Sequence, residues 1–191
     1  KPLDLKHKAD FYIPEKKIGI EFDGLYWHSN LFIDNNYHLN KTEECKAQGI
    51  QLLHIFEDEW LQKENIVKSI ILTKLGLLEN KIYARKTTIK EIKNNDVIRE
   101  FLDQNHIQGF IGGKVKLGLY YNNELISLMT FGKLRKALGG KNIVDEYELL
   151  RFCNKLNITV VGGASKLLNY FIKKYLPKKI LSFADKRYSN G

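Results

Sequence analysis

The stretch ADFYIPEKKIGIEFDGLYWHS, residues 9–29, decides how the first part of the chain is read. Ala9 to Ile13 reads as a short strand, Pro14-Glu15-Lys16-Lys17 as a turn, and Ile18 to Phe22 as a second strand. Side chains alternate faces along a strand, so Glu21 and Asp23 point to the same side. The turn brings Asp10 back beside them. Carboxylates gathered on one patch repel one another unless protons or a cation neutralise them. A hard divalent ion takes oxygen ligands, and once bound it polarises a phosphoryl oxygen and acidifies water. Asp10, Glu21 and Asp23 are therefore candidate ligands for Mg2+ or Mn2+. His28, five residues past Asp23, is a candidate general acid or base near neutral pH. The same residues also read as surface carboxylates at strand ends and a loop histidine. Spacing alone leaves both readings open.

Working outward, Asn36 to Gln48 reads as a helix that Gly49 ends. Ile50 to Phe56 is an apolar strand closed by Glu57-Asp58-Glu59-Trp60, and Glu64 to Leu75 is a second helix. The order β-β-α-β-α makes a mixed α/β module. Residues 9–29 resemble the core of the very-short-patch-repair (Vsr) endonucleases. They look still more like the related phage- and intron-associated homing endonucleases. Both groups have the PD-(D/E)xK nuclease fold. The carriers are Asp10 opening one strand, then Gly24, Tyr26, Trp27 and His28 after the next. The continuation NKTEECKAQGIQLLHIFEDEW, residues 40–60, resembles that family's charged helix, glycine, hydrophobic strand and acidic end.

The resemblance implies that Asp10 is the main metal ligand and that Glu21 takes the acidic position of the D…ExK pattern. Asp23 stands where general members of the fold place Lys and the repair enzymes place His. His28 would be the general acid or base. Tyr26 and Trp27 match aromatics that repair enzymes wedge into the base stack, a device that bends the duplex; core packing is the other reading of both. The repair enzymes' zinc cysteines are missing, which favours the homing branch. Lys41 would contact phosphate, while His54 and Glu57 would be secondary groups at the strand end. Solvated surface is the alternative for these three.

Further on, residues 81–87 read as a short connection and Ile89 to Gln104 as one or two helices. Val115–Tyr121, Asn122-Asn123 and Glu124–Phe131 give a strong hairpin signal. Glu146 to Cys153 is a strand, Ser165 to Tyr175 an amphipathic helix ended by Pro177, and Ile180 to Ala184 a last strand. The run from Tyr147 to Gly191 resembles the GNAT-like acyltransferase domains found in phage proteins, some joined to nucleases. A Gly162-Gly163 turn before a helix offers free N–H groups to an acyl-CoA pyrophosphate; a tight turn needing small residues is the simpler reading. The chain stops where such domains add their final strands, so a trimmed fragment is expected.

Composition bounds these readings. The 191 residues are 43% apolar, enough for a core, and no stretch approaches the ~18 apolar residues of a membrane span. No signal peptide is seen, and two cysteines make no disulfide framework, so a reducing cytoplasm is the expected setting. The net charge of +9 is unevenly placed. Residues 1–80 hold 10 Lys, no Arg and 13 Asp/Glu, a net −3. Residues 81–191 hold 21 Lys/Arg and 9 Asp/Glu, a net +12. The expected organisation is therefore a PD-(D/E)xK-like catalytic domain over 1–80 and a basic, α+β GNAT-like domain over 81–191. Phosphate neutralisation supplies most non-specific DNA affinity. Lys133, Arg135, Lys136, Arg151, Lys186 and Arg187 are candidates, although a lysine-rich solvated surface reads the same way. The expected function is a metal-dependent, site-specific endonuclease acting on double-stranded DNA. The alternatives are an N-acyltransferase acting on nucleic acid or protein and a non-catalytic DNA-binding protein with a nuclease fold.

Overall fold

The computed structural model describes residues 9–24, 37–134 and 144–188. Of the candidate site residues, Tyr26, Trp27, His28, Arg135 and Lys136 lie outside the described residues. The chain is mixed α/β and divides into two compact units. One comprises residues 1–68 with 184–191, the other residues 69–183.

In the first unit, β1 (Phe11–Ile13) and β2 (Ile18–Asp23) form the expected hairpin. Its turn is a single 3-10 turn begun by Pro14 and closed by Lys17 in the left-handed region. β2 leads by way of α1 (Tyr37–Ala47) to β3 (Gln51–Phe56), which pairs with it in parallel. The sheet order is β1-β2-β3. Gly49, at φ +72°, closes α1 as expected, with its N–H and that of Ile50 satisfying the carbonyls of Lys46 and Cys45.

α2 (Glu57–Leu75) starts seven residues before the expected helix at Glu64. Glu57, Asp58 and Glu59 occupy its first turn, where carboxylates complement the helix dipole. Lys63 has non-helical φ/ψ and separates this acidic first piece from the expected one. The two units divide within this helix, after Lys68, whereas the sequence placed a domain boundary after residue 80.

The second unit holds a five-stranded sheet in the order β10-β8-β7-β6-β5 and a two-stranded parallel pair, β4 with β9. The strands are β4 (Lys81–Tyr83), β5 (Thr88–Glu91), β6 (Val115–Tyr121), β7 (Glu124–Gly132), β8 (Glu146–Asn154), β9 (Thr159–Val161) and β10 (Lys179–Ser182). β5 through β8 pair antiparallel in succession, and β10 adds to β8 in parallel. Asn122 and Asn123 both take positive φ, as a two-residue hairpin turn requires.

Two expectations are corrected here. Residues 81–83 are a strand rather than a plain connection. Residues 88–91 are also a strand rather than the start of a helix, paired with β6 from Thr88 opposite Tyr120 to Glu91 opposite Leu117. Helix α3 (Asn95–Asn105) begins only after Asn94, whose side chain accepts the Asp96 N–H at 2.8 Å. It buries Ile98, Phe101 and Leu102. Helix α4 (Gly163–Tyr175) buries Leu167 and Phe171. Phe171 stacks on Phe131 at 3.6 Å and meets the edge of Tyr147 at 5.1 Å. Leu117, Leu119 and Ile126 complete this core with no exposure. Among the described residues, no helix is long and apolar enough to cross a membrane.

Candidate functional site

β2 turns its carboxylates inward. Glu21 is 6% exposed and Asp23 0%, while Phe22 between them is 40% exposed. Alternation thus places both acids on the covered face, as the strand period requires. β3 supplies the neighbouring position, with Glu21 opposite His54 and Asp23 opposite Phe56. His38, Lys41, Thr42 and Cys45 follow one another on α1 at the spacing of a single helix face. That face is polar at its start and apolar at Cys45, which is fully buried.

The side chains of α1 and β3 meet the two acids. The Lys41 ammonium forms an ion pair with Glu21 Oε2, both side chains nearly buried. His54 Nδ1 lies 2.9 Å from Asp23 Oδ2. His38 Nδ1 lies 3.5 Å from Asp23 Oδ1. Thr42 Oγ1 is 2.9 Å from His54 Nε2 and donates to the His38 carbonyl at 2.8 Å. The two imidazoles meet edge to face, 5.2 Å between centroids. Donor atoms of Asp23, His38 and His54 all lie within 4.8 Å of one another. Asp10 and Glu21 are not members of that group. Asp10 is exposed, and its Oδ2 accepts the Phe22 N–H at 2.7 Å, tying the start of β1 to β2. A Cβ placed on Gly24 would lie 3.7 Å from Glu57 Oε2, so the acidic start of α2 flanks the end of β2.

Sequence reasoning therefore singled out Asp10, Glu21, Asp23, Lys41 and His54, and it missed His38 and Thr42. Their signal was the lack of apolar residues at the start of the inward face of α1; Leu39, the one large aliphatic in its first turn, is 42% exposed.

Two of the candidate DNA contacts are engaged with the first unit's own surface. Arg187 bonds both oxygens of Asp185, reaches Glu59 Oε1 at 2.9 Å, and lies 4.8 Å from the centroid of Phe56. Burial opposes its charge, but the bonds to Asp185 and Glu59 outweigh this and hold its pKa above the usual value. Burial and a 2.7 Å hydrogen bond to Glu59 push the Tyr188 hydroxyl up as well. Lys186 pairs with Glu43 at 3.1 Å on the surface.

In the second unit, Arg151 donates to the carbonyls of Gly109 at 3.2 Å and Leu150 at 2.8 Å. Lys133 is exposed and lines a cavity of about 450 Å3 with Gly113, Lys114, Gly132 and Leu150. The Gly162-Gly163 turn is covered by its own chain. Gly162, at φ +77°, would place a Cβ 3.8 Å from that of Ala84. Lys166, in the first turn of α4, donates to the Ala84 carbonyl at 2.8 Å and to Thr87 Oγ1 at 3.3 Å. No family model matches the chain, and neither a curated protein nor a solved structure matches it.

Proposed function

We propose that the chain is a metal-dependent, site-specific DNA endonuclease of the homing type. Its first unit would be the PD-(D/E)xK-like catalytic module, and its basic second unit would hold the duplex by its phosphates. The observation that carries this reading is the placement of Lys41. Asp23 stands where the D…ExK pattern has its lysine and cannot supply a positive charge. The Lys41 ammonium, arriving from α1, reaches Glu21 instead. A buried carboxylate beside a buried ammonium on the covered face of a sheet costs desolvation energy that hydrophobic residues would not, which favours a chemical over a purely structural role.

The donor chemistry fits a hard ion in part. Asp10 and Glu21 offer the oxygen ligands that Mg2+ or Mn2+ takes, whereas Asp23 is engaged with imidazole nitrogens that Mg2+ does not favour. When bound, such an ion would supply charge stabilisation at phosphoryl oxygens and a more acidic water. The residues of the chain would do the rest. Asp10 and Glu21 would hold the ion, Lys41 would balance the charge of Glu21 and meet phosphate, and His28 would move the proton, as the family resemblance implies.

The N-acyltransferase alternative draws support from the antiparallel β5-β6-β7-β8 run with β10 added in parallel. Residues 84–87 lie over the first turn of α4, where a pyrophosphate would have to approach, so this reading ranks second.

The test is nicking of supercoiled plasmid in Mg2+, with and without chelator, beside Asp10→Asn. Asparagine keeps an acceptor for the Phe22 N–H but removes the charge. A loss of about 100-fold or more in nicking is expected, in the range that loss of a metal-site group produces. Equal nicking by the variant, or cleavage that survives chelation, rejects the proposal.

A further inference from the structure

Thr42 orients the His54 ring, with Nε2 towards its hydroxyl and Nδ1 towards Asp23. A hydroxyl has one proton to give. The His38 carbonyl can only accept, and Thr42 donates to it at 2.8 Å. While it does so, Thr42 Oγ1 acts as the acceptor towards His54 Nε2, 2.9 Å away. Nε2 then bears the hydrogen, and Nδ1 of a neutral imidazole is a bare lone pair. That lone pair faces Asp23 Oδ2 at 2.9 Å, acceptor against acceptor. Asp23 is 0% and His54 1% exposed, so no bulk water screens the clash. A metal ion at that point would turn the two opposed acceptors into shared ligands.

His38 adds a third donor atom. Its Nδ1 is aimed at the other oxygen of the same carboxylate, at 3.5 Å, longer than a good hydrogen bond. Bonds of ~2.0–2.2 Å in a tetrahedral arrangement set neighbouring donor atoms roughly 3.3–3.6 Å apart. The His38–Asp23 spacing is already that of two ligands sharing an ion, while His54 faces the other oxygen of that carboxylate; the three donor atoms lie within 4.8 Å of one another, so the side chains rotate to close on one ion. Two imidazole nitrogens and one carboxylate oxygen suit a borderline transition ion of the Zn2+ class, not Mg2+.

We propose that Asp23, His38 and His54 form a binding site for a Zn2+-class ion. Thr42 is the positioning residue that fixes His54 with Nδ1 towards the ion, the role that outer hydrogen bonds play for metal-bound histidines. The His38 side chain is 27% exposed, so the remaining coordination position opens on its side. The proposal stands on donor geometry and not on the endonuclease reading, and either can fail alone.

The experiment is titration of the full chain, freed of metal by chelator and dialysis, with Co2+ followed by its visible absorption. Saturable 1:1 binding is expected, displaced by Zn2+ and unmoved by excess Mg2+. His38→Ala, at the exposed rim, should weaken binding at least ~10-fold with an unchanged circular dichroism spectrum. Thr42→Val should weaken it ~10- to 100-fold, and Thr42→Ser should restore it. In 15N spectra of the unmodified chain, Zn2+ should shift the Nδ1 signals of two histidines, a readout that does not depend on any variant folding. The proposal is overturned by the absence of a Co2+ band, by displacement with Mg2+, or by unaltered affinity in His38→Ala. It is equally overturned if His54 is protonated on both nitrogens and indifferent to Zn2+.

Discussion

Around Phe171 the second unit is filled with rings and aliphatic chains: Phe131 stacked at 3.6 Å, Tyr147 on edge, Leu117, Leu119 and Leu167 fully buried. In the first unit the ground between β2, α1 and β3 holds Glu21, Asp23, Lys41 and His54, none more than 9% exposed. The first arrangement stabilises in proportion to the apolar area it removes from water. The second stabilises only while each group keeps its partner, because an unpaired buried charge costs more than the pair contributes. The contrast separates a region shaped mainly by packing from one whose composition is set by chemistry.

The largest expected effect lies in the packed region. Phe171→Ala should destabilise the second unit by about 3–5 kcal/mol in urea denaturation followed by far-UV circular dichroism. A loss below about 1 kcal/mol would mean that the stacked rings are not the centre of that core. Next comes the polar region, where Lys41→Met leaves Glu21 buried beside a thioether. A loss of about 3 kcal/mol is expected. Both tryptophans, Trp27 and Trp60, fall in residues 1–68, so their fluorescence reports this unit. The double change Glu21→Leu with Lys41→Met should regain most of that loss. A neutral single variant would erase the contrast between the two interiors.

The smallest effect concerns residues 185–188. Burial pushes the Asp185 carboxyl up, and its hydrogen bonds from Arg187 more than offset this, leaving it below the ordinary carboxylate range. A carboxyl lowered on folding stabilises above its unfolded value, and that stability is lost as pH falls through the folded value. Protection of the Arg187 amide, which donates to Asp185 Oδ1 at 3.0 Å, should persist from neutral pH down to about pH 4 and disappear below it. Arg187→Ala should remove that protection at every pH, at a cost of about 1 kcal/mol after solvent screening. Protection that survives at pH 2, measured by amide exchange corrected for the intrinsic rate, would separate this segment from the Asp185–Arg187 pair.

Much of the fold was legible because local signals agreed with tertiary ones. Asn122-Asn123 between alternating strands, Pro14 in its turn and Gly49 after α1 each need a backbone geometry that few residues supply. Leu167, Leu168, Phe171 and Ile172 gave α4 its apolar stripe. Thr88 to Glu91 failed because four residues are too few for a period, and partnership with β6 rather than propensity makes them a strand. The site was half legible for a related reason. Glu21 and Asp23 betrayed themselves by strand alternation. His38 and Thr42 did not, because the reading of helices expects apolar residues inside, and on α1 the inward face is polar where it meets Asp23.

The return of residues 184–188 to the first unit makes the second unit an insertion in the chain path of the first. On a ribosome, β1 to β3 would emerge early, yet Glu59 would wait without Arg187 and Tyr188 until all of residues 69–183 had been made. The first unit is thus completed only after the second has been made. A fragment ending at residue 68 would carry the candidate metal ligands but leave the acidic start of α2 without the cation that closes it.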